Sequence, residues 1–215
     1  MDLRIGRGEG QGTPWTVLAD IAVAMVLVMV VYLVLQFLTT FREHAIDQVL
    51  VQRQHLVRDS LASAIPANLL EVDSLSPTRQ RITFSSELLF ESCRAELKPS
   101  GRQLMTDVAA VLSQADSYFE AIEIDGHTDS LPLRPQCRRR FGSNWELSTS
   151  RATSVVRLLD TLSVLSPDKL KPTGRAHYLP RNPNDLAQNR RIEVTLLYSR
   201  VAVESTLSMT PLEAP

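Results

Sequence analysis

The 215-residue sequence lacks the residue patterns that mark several functional classes. Two cysteines are too few for a disulfide framework or a cysteine-built zinc cluster. Its eight glycines form no phosphate-cradling loop, and the sequence contains neither a G-x-S-x-G nor an H-E-x-x-H motif. Lys and Arg number 23 against 24 Asp and Glu, so there is no basic excess for binding nucleic acid. We therefore expect neither an enzyme nor a nucleic-acid-binding protein.

One long uncharged segment stands apart from the rest of the chain. Residues 21–40, IAVAMVLVMVVYLVLQFLTT, carry no formal charge over 20 positions. A helix needs about 20 apolar residues to cross the hydrocarbon layer, whereas a cleavable signal peptide has an apolar region of roughly 7–15 residues. Trp15 precedes the segment, where its indole suits the headgroup region. The sequence thus predicts an uncleaved membrane anchor over residues 15–40.

Asp20 is the carboxylate directly before this segment. If Trp15 marks the interface, Asp20 lies about 7–8 Å deeper, at a rise of 1.5 Å per residue. A carboxylate at that depth is costly, and it is usually protonated, paired or open to a watery path. The alternative is that Asp20 only caps the helix at the interface. The residues themselves leave both interpretations open.

Residues 41–64 are predicted to continue as a helix beyond the membrane. Apolar residues recur at roughly helical spacing, and the opposite face is charged. We favour a self-pairing stalk, with packing on the mouth of a channel or a solvated connector as the alternatives. Pro66 ends this helix. The apolar positions are Ile46, Val49, Leu50, Leu56, Val57 and Leu61.

The remaining sequence alternates short apolar strands with amphipathic helices. The order β-α-β-α-β-β implies an α+β domain, with a mixed sheet and helices on one face. Residues 68–78 are interpreted as a loop and residues 200–215 as a loose tail. The predicted strands cover residues 81–84, 119–124, 169–174 and 191–198, and the predicted helices cover 99–113 and 146–162.

Four stretches carry a resemblance to a known family. In order, they resemble the OmpA-like domain of MotB-type proteins, the B subunits of bacterial membrane motors. The W-x-x-x-A-D run that ends at Asp20 also resembles the ion-binding aspartate at the start of the single membrane helix in that family. The four stretches are LLFESCRAELKPSG at 88–101, IEIDGHTDS at 122–130, SNWELSTSRA at 143–152 and NRRIEVTLL at 189–197.

The resemblance implies a division of the chain into five parts. They are a cytoplasmic tail (1–14), a transmembrane helix (15–40), a periplasmic stalk (41–66), an OmpA-like peptidoglycan-binding domain (67–200) and a flexible tail (201–215). The chain would then be a single-pass protein of the bacterial inner membrane, with its N-terminus in the cytoplasm and its C-terminal domain in the periplasm. Basic residues do not settle this orientation, because the two flanks of the apolar segment are similar in charge.

The resemblance also implies a binding site for the peptide stem of peptidoglycan, often at diaminopimelate. By the family motif, Asp129 takes the ammonium group and Arg151 holds a carboxylate through its planar fork. Asn144 and Leu147 shape the pocket, and Thr128 offers hydrogen bonds. The alternative is a salt bridge between Asp129 and Arg151 that only ties a loop to a helix.

Other polar residues of the domain are assigned structural roles. His127 has no metal-spaced partner, and Arg190, Arg191 and Glu193 are expected to tie the last strand to its neighbours. We predict no metal site. A long arginine-rich loop separates Asp129 from Asn144, and it either contacts wall anions or is simply solvated.

Both cysteines fall in loops that the resembled fold brings to the ligand-binding end. An oxidising periplasm permits a disulfide between Cys93 and Cys137, which we favour over two free thiols.

The implied activity is that of a motor subunit. Two copies of the chain would sit inside a ring of A subunits, five copies in MotA/MotB-like complexes. Asp20 would carry a proton, with sodium as the second candidate, and no other cofactor is expected. The 14 residues before Trp15 and the compact stalk favour the B subunit of a Zorya-type anti-phage system over a flagellar stator. A passive wall tether without ion flow remains as a different class.

Overall fold

The computed structural model describes residues 14–163 and 165–209, and the chain divides into two compact units between Ala45 and Ile46. The first helix, α1, runs from Pro14 to Ala64. Its part in the first unit has exposed apolar side chains from Leu18 to Phe41. It is long and apolar enough to span a membrane, as the sequence predicts.

The second unit is built around a five-stranded mixed sheet. The strand order is β1-β2-β5-β3-β4, and only the β3–β4 pair is parallel. The α+β layer and the mixed sheet predicted from the sequence are therefore confirmed. The strands are β1 (Glu71–Ser76), β2 (Arg79–Ser85), β3 (Phe119–His127), β4 (Leu170–Ala176) and β5 (Arg191–Tyr198).

Within the described residues, six further α-helices follow α1. The two long ones, α3 and α5, pack with the apolar face of the sheet, where Ile82, Ile124 and Val194 are buried. The opposite sheet face is polar. The helices are α2 (Ser86–Leu89), α3 (Pro99–Ser113), α4 (Pro135–Phe141), α5 (Asn144–Leu162), α6 (Leu186–Asn189) and α7 (Arg200–Met209).

The structure corrects two segments that the sequence predicted to be irregular. Strand β1 occupies most of the predicted loop 68–78, so the order begins with two strands. Its sequence, EVDSLS, lacks an apolar face because it is an edge strand paired only with β2. The predicted tail 201–215 begins with α7, which is held by the buried Val203 and by an ion pair from Arg200 to Asp47 at 2.7 Å.

Residues 46–64 of α1 belong to the domain and not to a separate stalk. Leu50 and Leu61 are fully buried in the core of the second unit. The Gln54 amide donates to the Ser76 carbonyl at 2.7 Å, and the Gln80 amide donates to the Gln54 carbonyl at 3.0 Å. Of the stripe predicted to self-pair, Leu56 is exposed and the other positions pack in the domain's own core. The stalk predicted over residues 41–66 is therefore corrected for residues 46–64.

We expect Leu50→Ala to destabilise the second unit by about 2–5 kcal/mol, because it removes a fully buried side chain and leaves a cavity. The measurement is the free energy of unfolding of residues 46–215, which carry their own core. The control is Leu56→Ala on the exposed face of the same helix, with an expected loss below about 1 kcal/mol. Equal losses in the two variants would contradict this packing.

Candidate functional site

An open cleft of about 820 Å³ lies beside the C-terminal end of β3 and the N-terminal end of α5. All five residues predicted for ligand binding line it: Thr128, Asp129, Asn144, Leu147 and Arg151. The cleft is also lined by residues outside this predicted set. They include Glu87, Phe90, Glu91, Cys93, Arg134, Cys137 and Arg190.

Local hydrogen bonds place the loop after β3 against the start of α5. The Thr128 amide donates to the Ala176 carbonyl at 2.9 Å, which fixes the chain as it leaves the sheet. Ser143 caps α5 by accepting from the Trp145 amide at 3.1 Å. The Asn144 side chain then donates to the carbonyls of Asp129 (3.3 Å) and Leu131 (3.1 Å). Asn144 is thus a brace for the cleft loop as well as part of its lining.

Asp129 forms its ion pair with Arg190 and not with Arg151. The Arg190 Nη1 atom lies 3.0 Å from Asp129 Oδ2, and its Nη2 atom lies 2.5 Å from Glu87 Oε1. Hydrogen bonds to Glu87 and then to Asp129 raise the pKa of Arg190. The structural alternative of an Asp129–Arg151 salt bridge is therefore wrong. The sequence analysis expected Arg190 to tie the last strand to its neighbours but did not place it in the cleft, which it lines.

Arg151 is a buried cation held by neutral groups. Its side chain is 7 % exposed, and its guanidinium donates to the carbonyls of Arg94 (Nε, 3.0 Å) and Glu91 (Nη2, 3.4 Å). Its Cζ lies 5.2 Å from the ring centroid of Phe90. Within the part of the chain that the structure describes, no salt bridge involves Arg151. The cleft therefore offers an anionic group a guanidinium that no carboxylate neutralises.

Burial lowers the pKa of Arg151 to about 10, with a further lowering from the positive charge of Arg190 and an opposing effect from Asp129. Arg151 remains protonated at neutral pH in spite of this shift. Since an unpaired buried charge is costly, a ligand carboxylate at this position would gain from pairing with it.

Cys93 and Cys137 form a disulfide at the rim of the cleft, with their Cα atoms 5.1 Å apart. It joins the loop that supplies the Glu91 and Arg94 carbonyls to helix α4. Cys93 has a φ of 58°, which few non-glycine residues adopt. The arginine-rich segment predicted as a loop contains α4, and its Arg140 pairs with Glu96 while Arg134 lines the cleft.

Asp20 lies in the first unit, on an exposed position of α1, and takes no part in the cleft. Leu18 and Ile21 beside it are also exposed. The two sets of predicted functional residues thus fall in different units of the chain.

Asp125, His127 and Glu193 gather on the polar face of the sheet, with ligand-type atoms within 4.8 Å of one another. Both carboxylates are already paired with arginines. Three guanidiniums face two carboxylates, so the site has no net negative charge for a divalent cation, and we assign the cluster a structural role. The pairs are Arg175–Asp125 (3.2 Å), Arg191–Glu193 (2.6 Å) and Arg81–Glu193 (3.5 Å).

The comparisons with known proteins concern the domain that contains the cleft. Residues 89–193 match the model of the OmpA family. Motility protein B of Bacillus subtilis (strain 168) is 30% identical over 120 residues, which cover 54% of this chain and 44% of that protein. The chain spans about half the length of the curated relatives it matches.

Two solved structures share the fold. A MotB-like protein from Desulfovibrio vulgaris superposes with a TM-score of 0.66 at 22% identity, over 73% of this chain and 98% of that chain. The cell wall anchor of the T6SS from Pseudomonas aeruginosa superposes with a TM-score of 0.57 at 27% identity, over 68% of this chain and 99% of that chain. The described domain therefore has the fold of these proteins.

We expect the buried His127 to make the second unit less stable as the pH falls. Burial, and then the positive charge of Arg191, lower the pKa of His127 to about 4, and Glu193 partly opposes them. The unfolded chain therefore binds more protons than the folded chain between about pH 6.5 and pH 4. The contribution of His127 to the free energy of unfolding is fully present above about pH 6.5. As the pH falls towards 4, about 1–3 kcal/mol of it is lost.

The measurement is the free energy of unfolding of residues 46–215 from pH 7 to pH 4, with His127→Gln as the test variant. The slope of stability against pH should flatten in this variant. The exposed His55 provides the control, since His55→Gln should keep the original slope. An unchanged slope in His127→Gln would show that another group sets the dependence.

Proposed function

We propose that this chain, whose residues 89–193 form an OmpA-like domain related to those of MotB proteins, is the wall-anchored B subunit of an ion-driven motor in the bacterial inner membrane. The observation that carries the proposal is the buried, unpaired Arg151 in an open cleft beside Asp129. A candidate membrane helix with an acidic residue near its start supplies the second half of the proposal.

The cleft suits a ligand that carries an ammonium and a carboxylate together. The Arg151 fork would take the carboxylate in a bidentate contact, and Asp129 would take the ammonium in addition to its pair with Arg190. Thr128 would supply a hydrogen bond, and Leu147 an apolar wall. Diaminopimelate in the peptide stem of peptidoglycan has this chemistry.

Anchorage to the cell wall fits the fold. One neighbour in structure is a cell wall anchor, and another protein of similar sequence is a motility protein. With peptidoglycan as the ligand, the second unit lies in the periplasm and the N-terminus in the cytoplasm. The membrane span over residues 15–40 then connects the wall-bound domain to the machinery in the membrane.

Asp20 is the proposed ion carrier. An acid at this depth is costly unless an ion or a watery path accompanies it. In the proposed mechanism, two copies of the chain stand inside a ring of A subunits, five by the family resemblance. A proton, or sodium as the second candidate, neutralises Asp20 and changes how α1 contacts the ring. Each elementary charge that crosses yields about 2.3 kcal/mol per 100 mV.

The first candidate for the task is a Zorya-type anti-phage motor. In its favour, residues 46–64 of α1 pack directly on the domain, so only a few residues separate the proposed span from the anchored unit. A flagellar stator is the alternative, supported by the identity with motility protein B. A wall tether without ion flow would use the cleft but not Asp20.

Replacement of Arg151 tests the anchor. Arg151→Gln should weaken binding to a diaminopimelate-containing tripeptide by at least about tenfold, because it removes the guanidinium that we assign to the ligand carboxylate. Titration calorimetry with the full chain in detergent measures this. Arg157→Gln, on the exposed face of the same helix, is the control and should bind like wild type. Equal affinity in the Arg151 variant would remove the proposed carboxylate contact.

Replacement of Asp20 tests ion conduction. Cells that carry the native operon should block phage plaques, and Asp20→Asn should abolish the block, since the amide has nearly the same size but cannot titrate. Asp20→Glu keeps a carboxylate and should retain part of the activity. If the Asp20→Asn variant protects fully, ion conduction through Asp20 is contradicted and the wall tether without ion flow is the remaining function. If the wild type supports swimming but not phage defence, the flagellar alternative replaces the first candidate.

A further inference from the structure

Arg134 is a second arginine of the cleft that has no carboxylate partner. It lines the cleft together with Arg151 and Arg190, and its side chain is exposed. Arg190 is already paired with Glu87 and Asp129. Within the described residues, neither Arg134 nor Arg151 belongs to a salt bridge. The cleft therefore presents two guanidiniums, one buried and one exposed, to the anionic groups of a ligand.

Helix α4 sets the position of Arg134. Arg134 is the residue directly before this helix, and its carbonyl accepts from the Arg138 amide at 2.9 Å. Its side chain makes no capping hydrogen bond to the helix, so the guanidinium has no local role there. Cys137 lies in the first turn of α4, where it is buried and bonded to Cys93. The backbone at Arg134 is thus fixed, while its side chain extends at the cleft.

The Cys93–Cys137 disulfide connects the two segments that position the unpaired arginines. Cys93 lies in the loop whose carbonyls accept hydrogen bonds from the Arg151 guanidinium. Cys137 lies three residues after Arg134, and the Cα atoms of the two cysteines are 5.1 Å apart. The backbone at Arg134 is therefore cross-linked to the groups that hold Arg151. A ligand bound to one arginine would have the other on the same cross-linked part of the cleft wall.

The charges of the cleft exceed those that one ammonium and one carboxylate can match. In the proposed function, Asp129 takes the ammonium and Arg151 takes the carboxylate, which leaves Arg134 without an anionic partner. Glu91 also lines the cleft, but its exposed carboxylate forms no salt bridge with Arg134. The cleft volume of about 820 Å³ lies within the range of sites for drug-sized ligands, roughly 300–1,000 Å³. The cleft therefore has room for more of the stem than one end of diaminopimelate.

The peptide stem contains further carboxylates that such a cation could bind. Diaminopimelate has a second carboxylate at its other end. The D-glutamyl residue before it keeps a free α-carboxylate, because the stem continues through its γ-carboxyl group. A guanidinium binds either group through parallel N–H donors. Amidation of the carboxylate removes its charge and adds N–H donors, which a guanidinium cannot accept.

We propose that Arg134 is a specificity-determining residue that binds a second carboxylate of the peptidoglycan stem, so that the domain distinguishes stems with a free carboxylate from amidated stems. This inference rests on the proposed function, because the stem must first bind to Asp129 and Arg151. It gives a ligand to the arginine-rich segment, for which the sequence alone left wall anions and plain solvation as alternatives.

Titration calorimetry of the full chain in detergent tests the inference with three forms of the diaminopimelate tripeptide. One form is unmodified, one is amidated at the D-glutamyl α-carboxylate, and one is amidated at the C-terminal carboxylate of diaminopimelate. Wild type should bind one of the amidated forms about three- to fivefold more weakly than the unmodified form. The effect is smaller than that expected for Arg151, since water and salt screen an exposed charge pair. The form that binds more weakly identifies which carboxylate contacts Arg134.

Replacement of Arg134 should remove this discrimination. Arg134→Gln should bind the unmodified tripeptide about three- to fivefold more weakly than wild type and should bind the discriminated amidated form with the same affinity as the unmodified one. Arg134→Lys keeps the charge without the planar fork and should keep part of the discrimination. The control is Arg139→Gln, which removes the same charge from an exposed position of α4 that does not line the cleft. It should bind all three forms like wild type.

The outcomes separate this inference from the proposed function. If Arg151→Gln loses tripeptide binding while Arg134→Gln binds and discriminates like wild type, the stem site stands and the role of Arg134 is overturned. The role is also overturned if neither amidation weakens wild-type binding, or if Arg134→Gln loses the same affinity for all three forms. Equal losses in Arg134→Gln and Arg139→Gln would show a long-range effect of charge and overturn it as well. If wild type does not bind the tripeptide, the proposed function and this inference both fail.

Discussion

The close approach of helix α5 to the sheet is the constraint on which the candidate site depends. A Cβ atom on Gly126 would lie 2.2 Å from the Ser148 carbonyl oxygen, and one on Gly174 would lie 2.1 Å from Thr149 Oγ1. Glycine at both positions lets the helix lie directly on β3 and β4. Arg151 stands one turn further along α5, so its depth in the domain follows from this contact. A helix raised by one methyl group would move the guanidinium away from the carbonyls that hold it.

The sequence predicted those parts of the fold whose pattern is set by burial. Strand β5 is buried over nearly its whole length, and α5 has a wide apolar stripe, so both were found with nearly the observed bounds. Strand β1 was missed because an edge strand with one partner needs little apolar sequence. The apolar stripe of residues 46–64 indicated a packed helix, but a stripe cannot say whether its partner is a second copy or the same domain.

The same division holds for the site. Five predicted residues gather in one cleft because Thr128 and Asp129 follow the end of β3, while the spacing of Asn144, Leu147 and Arg151 puts them on one side of α5. Arg190 was not predicted as a cleft residue, since Arg190 and Arg191 look alike in sequence. Successive side chains alternate in direction at the start of β5. Arg190 therefore lies in the cleft, and Arg191 lies on the polar face of the sheet, where it pairs with Glu193. Only the tertiary partners distinguish the two.

The Cys93–Cys137 disulfide affects when the cleft forms as well as its shape. Its cysteines are 44 residues apart, and the bond fastens the loop whose carbonyls hold Arg151. Thiols stay reduced in the cytoplasm and oxidise in compartments beyond the inner membrane. A newly made chain would therefore leave the ribosome with this loop unfastened. Under the proposed function, the cleft would reach its final form only after the second unit is exported, in the compartment that contains the proposed ligand.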